Sequence, residues 1–236
     1  MKNTSVGYKI VTALTGLLLV GFLVGHLAGN LLFFAGSDAI NDYAKKLKSM
    51  PALIWTARLG LLGLIVTHIV MTISLRRKVQ TATQRYHVKS YRKTTRASRW
   101  MMLSGSAVLA FVLIHLSHFT LQWIFVESPN AVDEKGRHDV YTMIVDSFRN
   151  PFVVVIYVAS MSFVMLHLKH ALFSVVQTLG IGVGSNEKWI RRFAFSAALI
   201  LFVGFVSIPM MVLLGIVGSE LDTGQIAEVG KVGQLR

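Results

Sequence analysis

Six of the eight histidines in this 236-residue chain lie inside long apolar runs, and imidazoles are the side chains here best suited to bind a metal or move a proton. The stretch Ile10–Phe34, IVTALTGLLLVGFLVGHLAGNLLFF, has no charged residue and holds His26 well inside it. At 1.5 Å per residue it spans about 37 Å as a helix, enough to cross a hydrocarbon core of roughly 30 Å. An ionisable side chain at that depth is costly, so by default it marks a functional site. The same feature returns as His68, as His115 with His118, and as His167 with His170.

Five runs must position these residues: Ile10–Phe34, Leu53–Leu75, Trp100–Val126, Phe152–Gln177 and Phe193–Val217. With 53% hydrophobic and 15% charged residues and a mean hydropathy of +0.58, the expected fold is all-α. It is a single polytopic domain over residues 1–236, a five-helix transmembrane bundle with short connections. The first run is too long for a usual signal-peptide core and is read as retained. Cysteine is absent, which excludes disulfides and thiolate-held clusters on this chain. A net charge of +13 raises the question of nucleic acid, but the distribution answers it. Nine Lys/Arg and no acid fall in Arg76–Arg99, where Tyr86, His87 and Tyr91 sit on a solvated or headgroup face; Lys188, Arg191 and Arg192 lie in Gly180–Arg192. Ten of the 11 acids lie in the opposite connections or the C-terminal tail. This is a topology signal with the N-terminus cytoplasmic, and no nucleic-acid partner is expected. Lys45, Lys46 and Lys48 are a local exception. Pro51 should open the second helix, Pro209 should kink the fifth, and a short interfacial helix is expected around Asp139–Phe148.

In that topology His26 and His115 each lie about fifteen residues, roughly 22 Å, from the inner ends of their helices. His68 and His167 lie roughly 10 and 15 Å from theirs. Two histidines from different helices at one depth are what bis-imidazole ligation of a haem iron requires, and two such layers stack one haem above another. Three residues are only about 4.5 Å of rise, so one member of each doublet, His115/His118 and His167/His170, is the ligand; the other can meet a propionate, a quinone or a neighbouring helix. Periodicity does not choose between them. Gly21, Gly25 and Gly29 allow close approach of a porphyrin face or of a packed helix. Arg58 on the outer side and Lys169 on the inner can pair with propionates or snorkel to the interface.

The run Asp139–Gly180, DVYTMIVDSFRNPFVVVIYVASMSFVMLHLKHALFSVVQTLG, resembles the di-haem cytochrome b membrane anchor of succinate dehydrogenases and fumarate reductases. The resemblance is carried by Tyr141, Val145, Phe148, Pro151, Tyr157, His167, Leu168, His170, Ser174, Gln177, Leu179 and Gly180. IHLSHFT in the third run and INDYAKKLKSMPALIWTARLGLL are similar too, and the likeness extends from the first run to the fifth. It implies two haems b, the distal held by His26 and His115 and the proximal by His68 and His167, so that the first histidine of each doublet is the ligand. It implies a flavoprotein subunit, an iron–sulfur subunit docked on the cytoplasmic face, and a membrane quinone, usually menaquinone. It also implies residence in a bacterial cytoplasmic (inner) membrane, electron transport linked to the tricarboxylic acid cycle, and no dicarboxylate active site on this chain. Asn41, Asp42 and Tyr43 are candidates for the quinone pocket. Ala171 and Lys169 depart from the usual pattern, and Met165 stands where some relatives carry a proton-moving glutamate. A cytochrome b of a hydrogenase, formate dehydrogenase or nitrate reductase is the alternative, but it tends to take two ligands from one helix. A histidine-relay transporter would show broken helices and repeats, which this sequence lacks.

Overall fold

The computed structural model describes residues 5–84, 96–180 and 186–219. Tyr86, His87, Tyr91 and much of the basic connection lie outside the described residues, as does the C-terminal tail. The order is α1 (Ser5–Asn30), a 3-10 turn (Leu31–Ala35), α2 (Ser37–Lys48), α3 (Pro51–Gln84), α4 (Arg96–His115), a π turn (Leu116–Thr120), α5 (Val140–Arg149), α6 (Pro151–Thr178) and α7 (Glu187–Leu213). Among the described residues there is no strand beyond a single bridge, Val132 to His138. Five helical segments are long and apolar enough to span a bilayer: Val6–Ala35, Pro51–Lys78, Trp100–Thr120, Pro151–Thr178 and Glu187–Leu213. Large apolar side chains such as Leu18, Val24, Leu62, Val155 and Ile200 point outward. That is the surface of a multi-pass membrane protein, whose backbone must satisfy its own hydrogen bonds within each span.

The chain forms two compact units, and α1, α4, α6 and α7 contribute segments to both. The first comprises Met1–His26, Met50–Val108 and Phe163–Leu201; the second comprises Leu27–Ser49, Leu109–Ser162 and Phe202–Arg236. In the second, Phe33, Ile40, Tyr141, Ile144, Val145, Phe148, Val153, Val154, Tyr157, Ile208 and Val212 make a continuous core. Phe33 stacks on Tyr141 at 4.9 Å, and Phe148 meets Tyr157 edge-on at 5.0 Å. In the first, Leu172, Phe173 and Ala194 form a smaller cluster.

The helix ends follow from local chemistry. Asp139 caps α5 by accepting from the Thr142 N–H at 3.1 Å, and Asn150 accepts from the Phe152 N–H at 3.0 Å with Pro151 at the first position of α6. Gly36, at φ +98°, turns the chain from the 3-10 segment into α2. Lys45, Lys46 and Lys48 occupy the last turn of α2, where cations complement the helix dipole; this accounts for their exception to the charge pattern.

Several boundaries differ from the apolar runs: α3 continues past Leu75 to Gln84, and α7 ends at Leu213, short of Val217. The third helix does not continue to Val126. A π turn closes it with a Leu121 N–H to Leu116 carbonyl bond of 2.8 Å, and Gln122 and Phe125 then take positive φ. Gln122 is held there by the Asn130 N–H at 2.7 Å. The fifth helix begins at Glu187, earlier than Phe193, so Arg191 and Arg192 belong to it. Glu187 in the first turn suits the dipole and pairs with Arg191 one turn on. α5 lies where a short helix was expected, α3 opens at Pro51, and Pro209 sits inside α7.

Candidate functional site

In the first unit the second and fourth transmembrane helices, α3 and α6, carry His68 and His167. Each ring is held the same way. The His68 Nδ1 lies 3.1 Å from the Thr15 hydroxyl of α1, and the His167 Nδ1 lies 3.2 Å from the Ser104 hydroxyl of α4. Thr15 also reaches the Val11 carbonyl at 2.8 Å, and Ser104 the Met101 carbonyl at 3.1 Å. Where a hydroxyl proton goes to its carbonyl, the hydroxyl accepts from Nδ1–H, and the neutral histidine then carries its lone pair on Nε2. A metal-ligating histidine is held in this manner, with its second ring nitrogen donating to a fixed oxygen.

Both hydroxyl residues precede a glycine. A Cβ at Gly16 would sit 3.2 Å from the His68 Cε1, and one at Gly105 would sit 3.3 Å from the His167 Cε1. Glycine lets each imidazole lie against the neighbouring helix backbone. Beside His68, whose ring also meets the Thr12 carbonyl, the buried Thr12 hydroxyl has no hydrogen-bond partner among the described residues. An unpaired buried hydroxyl costs about 1–3 kcal/mol, and a polar group of a bound ligand would satisfy it. These hydroxyl–glycine pairs were not singled out from the sequence. Their signal is two dipeptides, Thr15-Gly16 and Ser104-Gly105, indistinguishable from ordinary helix-packing residues until the histidines are seen against them.

His26, also in the first unit, is half-buried and stacked on Phe22 at 5.3 Å. No protein atom lies within 4 Å of a Cβ built at Gly21 or Gly25, so neither glycine serves close helix packing; Gly29 is the exception, with the Tyr43 hydroxyl 2.9 Å from its Cβ position.

The second unit holds His115 in a hydrogen-bonded chain. His118 is wholly buried, with Nε2 2.9 Å from the Ser147 hydroxyl and Nδ1 2.9 Å from the Tyr157 hydroxyl. Ser147 donates to the Met143 carbonyl at 2.6 Å, and the Tyr157 hydroxyl also lies 3.4 Å from the His115 Nδ1, so Tyr157 stands between the two histidines. Both ring nitrogens of His118 lie within hydrogen-bond reach of protein hydroxyls, while His115 meets the Tyr157 hydroxyl through Nδ1.

His170 lines a groove of about 680 Å³ in the first unit together with Lys169, Arg191 and Arg192. Lys169 is two residues from His167, or about 200° around α6, so it leaves the helix on nearly the opposite side. Arg58 is exposed on α3 and rests over Trp55 at 5.3 Å.

Asn41 and Asp42 have structural duties. The buried Arg137 guanidinium reaches Asp38 and Asp42 at 2.7 Å and Asp133 at 2.6 Å. Asn41 donates to Asp133 and Asp139 and accepts from the Val140 and Tyr141 N–H groups. This network fastens α2 to the loop before α5. Burial alone would raise the Asp133 carboxyl, but hydrogen bonds from the Arg137 side chain and backbone and from Asn41 hold it down at about 2. Hydrogen bonds from Lys135 and then Arg137 lower Asp38, and the same carboxylates, Asp133 first, raise Arg137. Arg137 was missed in the sequence: Asp38 and Asp42 stand one helical turn apart on α2, but Asp133 and Arg137 lie in a loop whose folding brings them together.

Among the described residues no three or more His, Cys, Asp or Glu side chains gather to hold a metal ion. Two imidazoles per site suit a metal whose remaining ligands come from a macrocycle. Comparison of the chain with protein-family models, with curated proteins and with solved structures gives no match.

Proposed function

We propose that this chain is the di-haem cytochrome b membrane anchor of a succinate dehydrogenase or fumarate reductase complex, linking an iron–sulfur subunit to a membrane quinone, with the flavoprotein and iron–sulfur partner subunits that the sequence resemblance implies. The observation that carries the reading is the matched support of His68 and His167. Two imidazoles on different spanning helices each meet a helix hydroxyl through Nδ1, the support that would leave Nε2 for a ligand. His115, supported by Tyr157, is the same arrangement in the second unit. In this reading His68 and His167 hold the proximal haem and His26 and His115 the distal haem. Haem supplies a reversible one-electron iron couple when bound. The chain's part is to hold the imidazoles, to exclude water with the apolar spans, and to offer the Thr12 hydroxyl to a polar edge of the ligand.

The N-terminus lies in the cytoplasm by the charge distribution, and the acid-free Arg76–Arg99 connection faces the iron–sulfur and flavoprotein subunits. Menaquinone is the quinone, and the membrane is the bacterial cytoplasmic one. Because Asn41 and Asp42 are committed to the Arg137 network, the quinone pocket is not assigned to them.

The test is haem b per chain by pyridine haemochrome assay, with a stepwise redox titration of the purified protein. Two haems with separable midpoints are expected. A preparation supplied with haem that binds none would overturn the reading, and one haem per chain would remove one of the two histidine pairs.

A further inference from the structure

The groove between α4, α6 and α7 shares Ser104 with the support of His167 but is otherwise lined by apolar and cationic side chains that the haem reading does not use. Its walls are Leu103, Leu166 and Phe195, all exposed and all on spanning helices, so they lie at hydrocarbon depth. Its rim is cationic: Lys169, Arg191 and Arg192 line it, and no lining residue is acidic. Arg191 is neutralised by Glu187, with Nε 3.0 Å from the carboxylate. Lys169 rests over the Phe195 ring at 5.2 Å and Arg192 over Trp189 at 5.4 Å, and neither meets a carboxylate among the described residues. Lys169 is nine residues, about 13 Å of helix, from the end of α6 at Thr178, where an ammonium without a counter-anion is costly. Trp100 and Trp189 sit at the ends of their spans, as residues of the headgroup layer do.

We propose that this groove binds an anionic phospholipid, its phosphate between Lys169 and Arg192 and its acyl chains along Leu103, Leu166 and Phe195. A neutral amphiphile would fill the apolar part and leave two cations uncompensated. A soluble anion would meet the cations and leave the apolar walls uncovered by chains of its own. Basic pockets between spanning helices recognise anionic headgroups in this way. The volume, about 680 Å³, admits a headgroup with the adjoining parts of its chains. With a surface cation such as Arg192 worth a factor of about 5, and the deeper Lys169 at least as much, the two give a preference of roughly 30-fold or more for an anionic over a zwitterionic lipid of the same chains.

The experiment uses the full chain, haem-loaded and delipidated in detergent, with phosphatidylglycerol, phosphatidylcholine of identical chains, and inorganic phosphate as probes. Retained lipid per chain is read by native mass spectrometry, and the unfolding midpoint is followed in parallel. Phosphatidylglycerol should be retained and should raise the midpoint; phosphatidylcholine and inorganic phosphate should do neither. The double variant Lys169→Gln/Arg192→Gln should lose that retention with haem per chain unchanged, and Leu103→Trp, which fills the groove without touching charge, should lose it too. Equal retention of phosphatidylcholine, an equal effect of inorganic phosphate, or retention undiminished in Leu103→Trp would overturn the proposal. Loss of a haem in the double variant would do so as well, by assigning the cations to propionates.

Discussion

Replacing Ser104 by alanine isolates one hydrogen bond of the candidate site. With its proton on the Met101 carbonyl, the Ser104 hydroxyl is the acceptor for the His167 Nδ1–H at 3.2 Å, and at 7% exposure water does not readily take its place. A neutral hydrogen bond of this kind contributes about 1 kcal/mol, and leaving the N–H buried without a partner raises the cost to as much as ~3 kcal/mol. In ligand affinity that is a factor of about 5 to 150, which brackets the 10- to 100-fold typical of losing the outer partner of a metal-bound histidine. The N–H···O bond also adds electron density to the imidazole and favours the oxidised metal, so its removal should raise the midpoint of that haem. The rise should be on the order of 40 mV if 1 kcal/mol of differential stabilisation is lost. Wild type and Ser104→Ala would be purified in one detergent, haem per chain counted by pyridine haemochrome, and the α-band titrated against potential. The expected result is weakened occupancy and a raised midpoint confined to one haem, the one that His167→Ala abolishes. Two haems with unshifted midpoints, or a shift confined to the other haem, would refute the reasoning.

The pairing itself predicts that His68→Ala and His167→Ala remove one and the same spectral component while His26→Ala and His115→Ala remove the other; low-temperature spectra of the four variants check it. Tyr157→Phe takes the hydroxyl away from the buried His118 Nδ1 and from His115, and should cost about 1–3 kcal/mol, read as a lowered unfolding midpoint in detergent. Because the Asp133 carboxyl is held at about 2 in the fold, below its ordinary value of 3.8, the stability it contributes is present above pH 4. That stability is lost as pH falls from about 4 through 2; hydrogen exchange in Ser37–Lys48 and Val140–Arg149 should accelerate over that window and not between pH 5 and 7. Arg137→Ala should release the same two helices at neutral pH, detected as new proteolytic cleavage in the loop before Val140.

Much of this protein was legible in its sequence, because a bilayer imposes length and polarity on each span independently of the others. An uncharged run such as Ile10–Phe34 has few choices other than a helix, Pro51 and Pro151 mark starts, and the Asp139–Phe148 amphipathic stretch reads as a helix from its own pattern. The histidines stand out for the same reason: imidazole is costly at those depths and invites explanation. Tertiary structure decided what one-dimensional spacing cannot carry. His115 and His118 have similar local surroundings, and only Ser147 and Tyr157, brought from α5 and α6, meet both nitrogens of the second. The π turn that ends the third span at Thr120 depends on hydrogen bonds with no residue signature of their own. Thr15 and Ser104 look like ordinary helix residues until His68 and His167 are seen to meet them. Attractive as ligand contacts in one dimension, Asp42 is claimed by an arginine about ninety-five residues away and Asn41 by Asp133, Asp139 and the first N–H groups of α5. A hydrogen bond is a relation between two groups, and where the second group comes from a distant helix, its consequence for the first is settled only when the chain has folded.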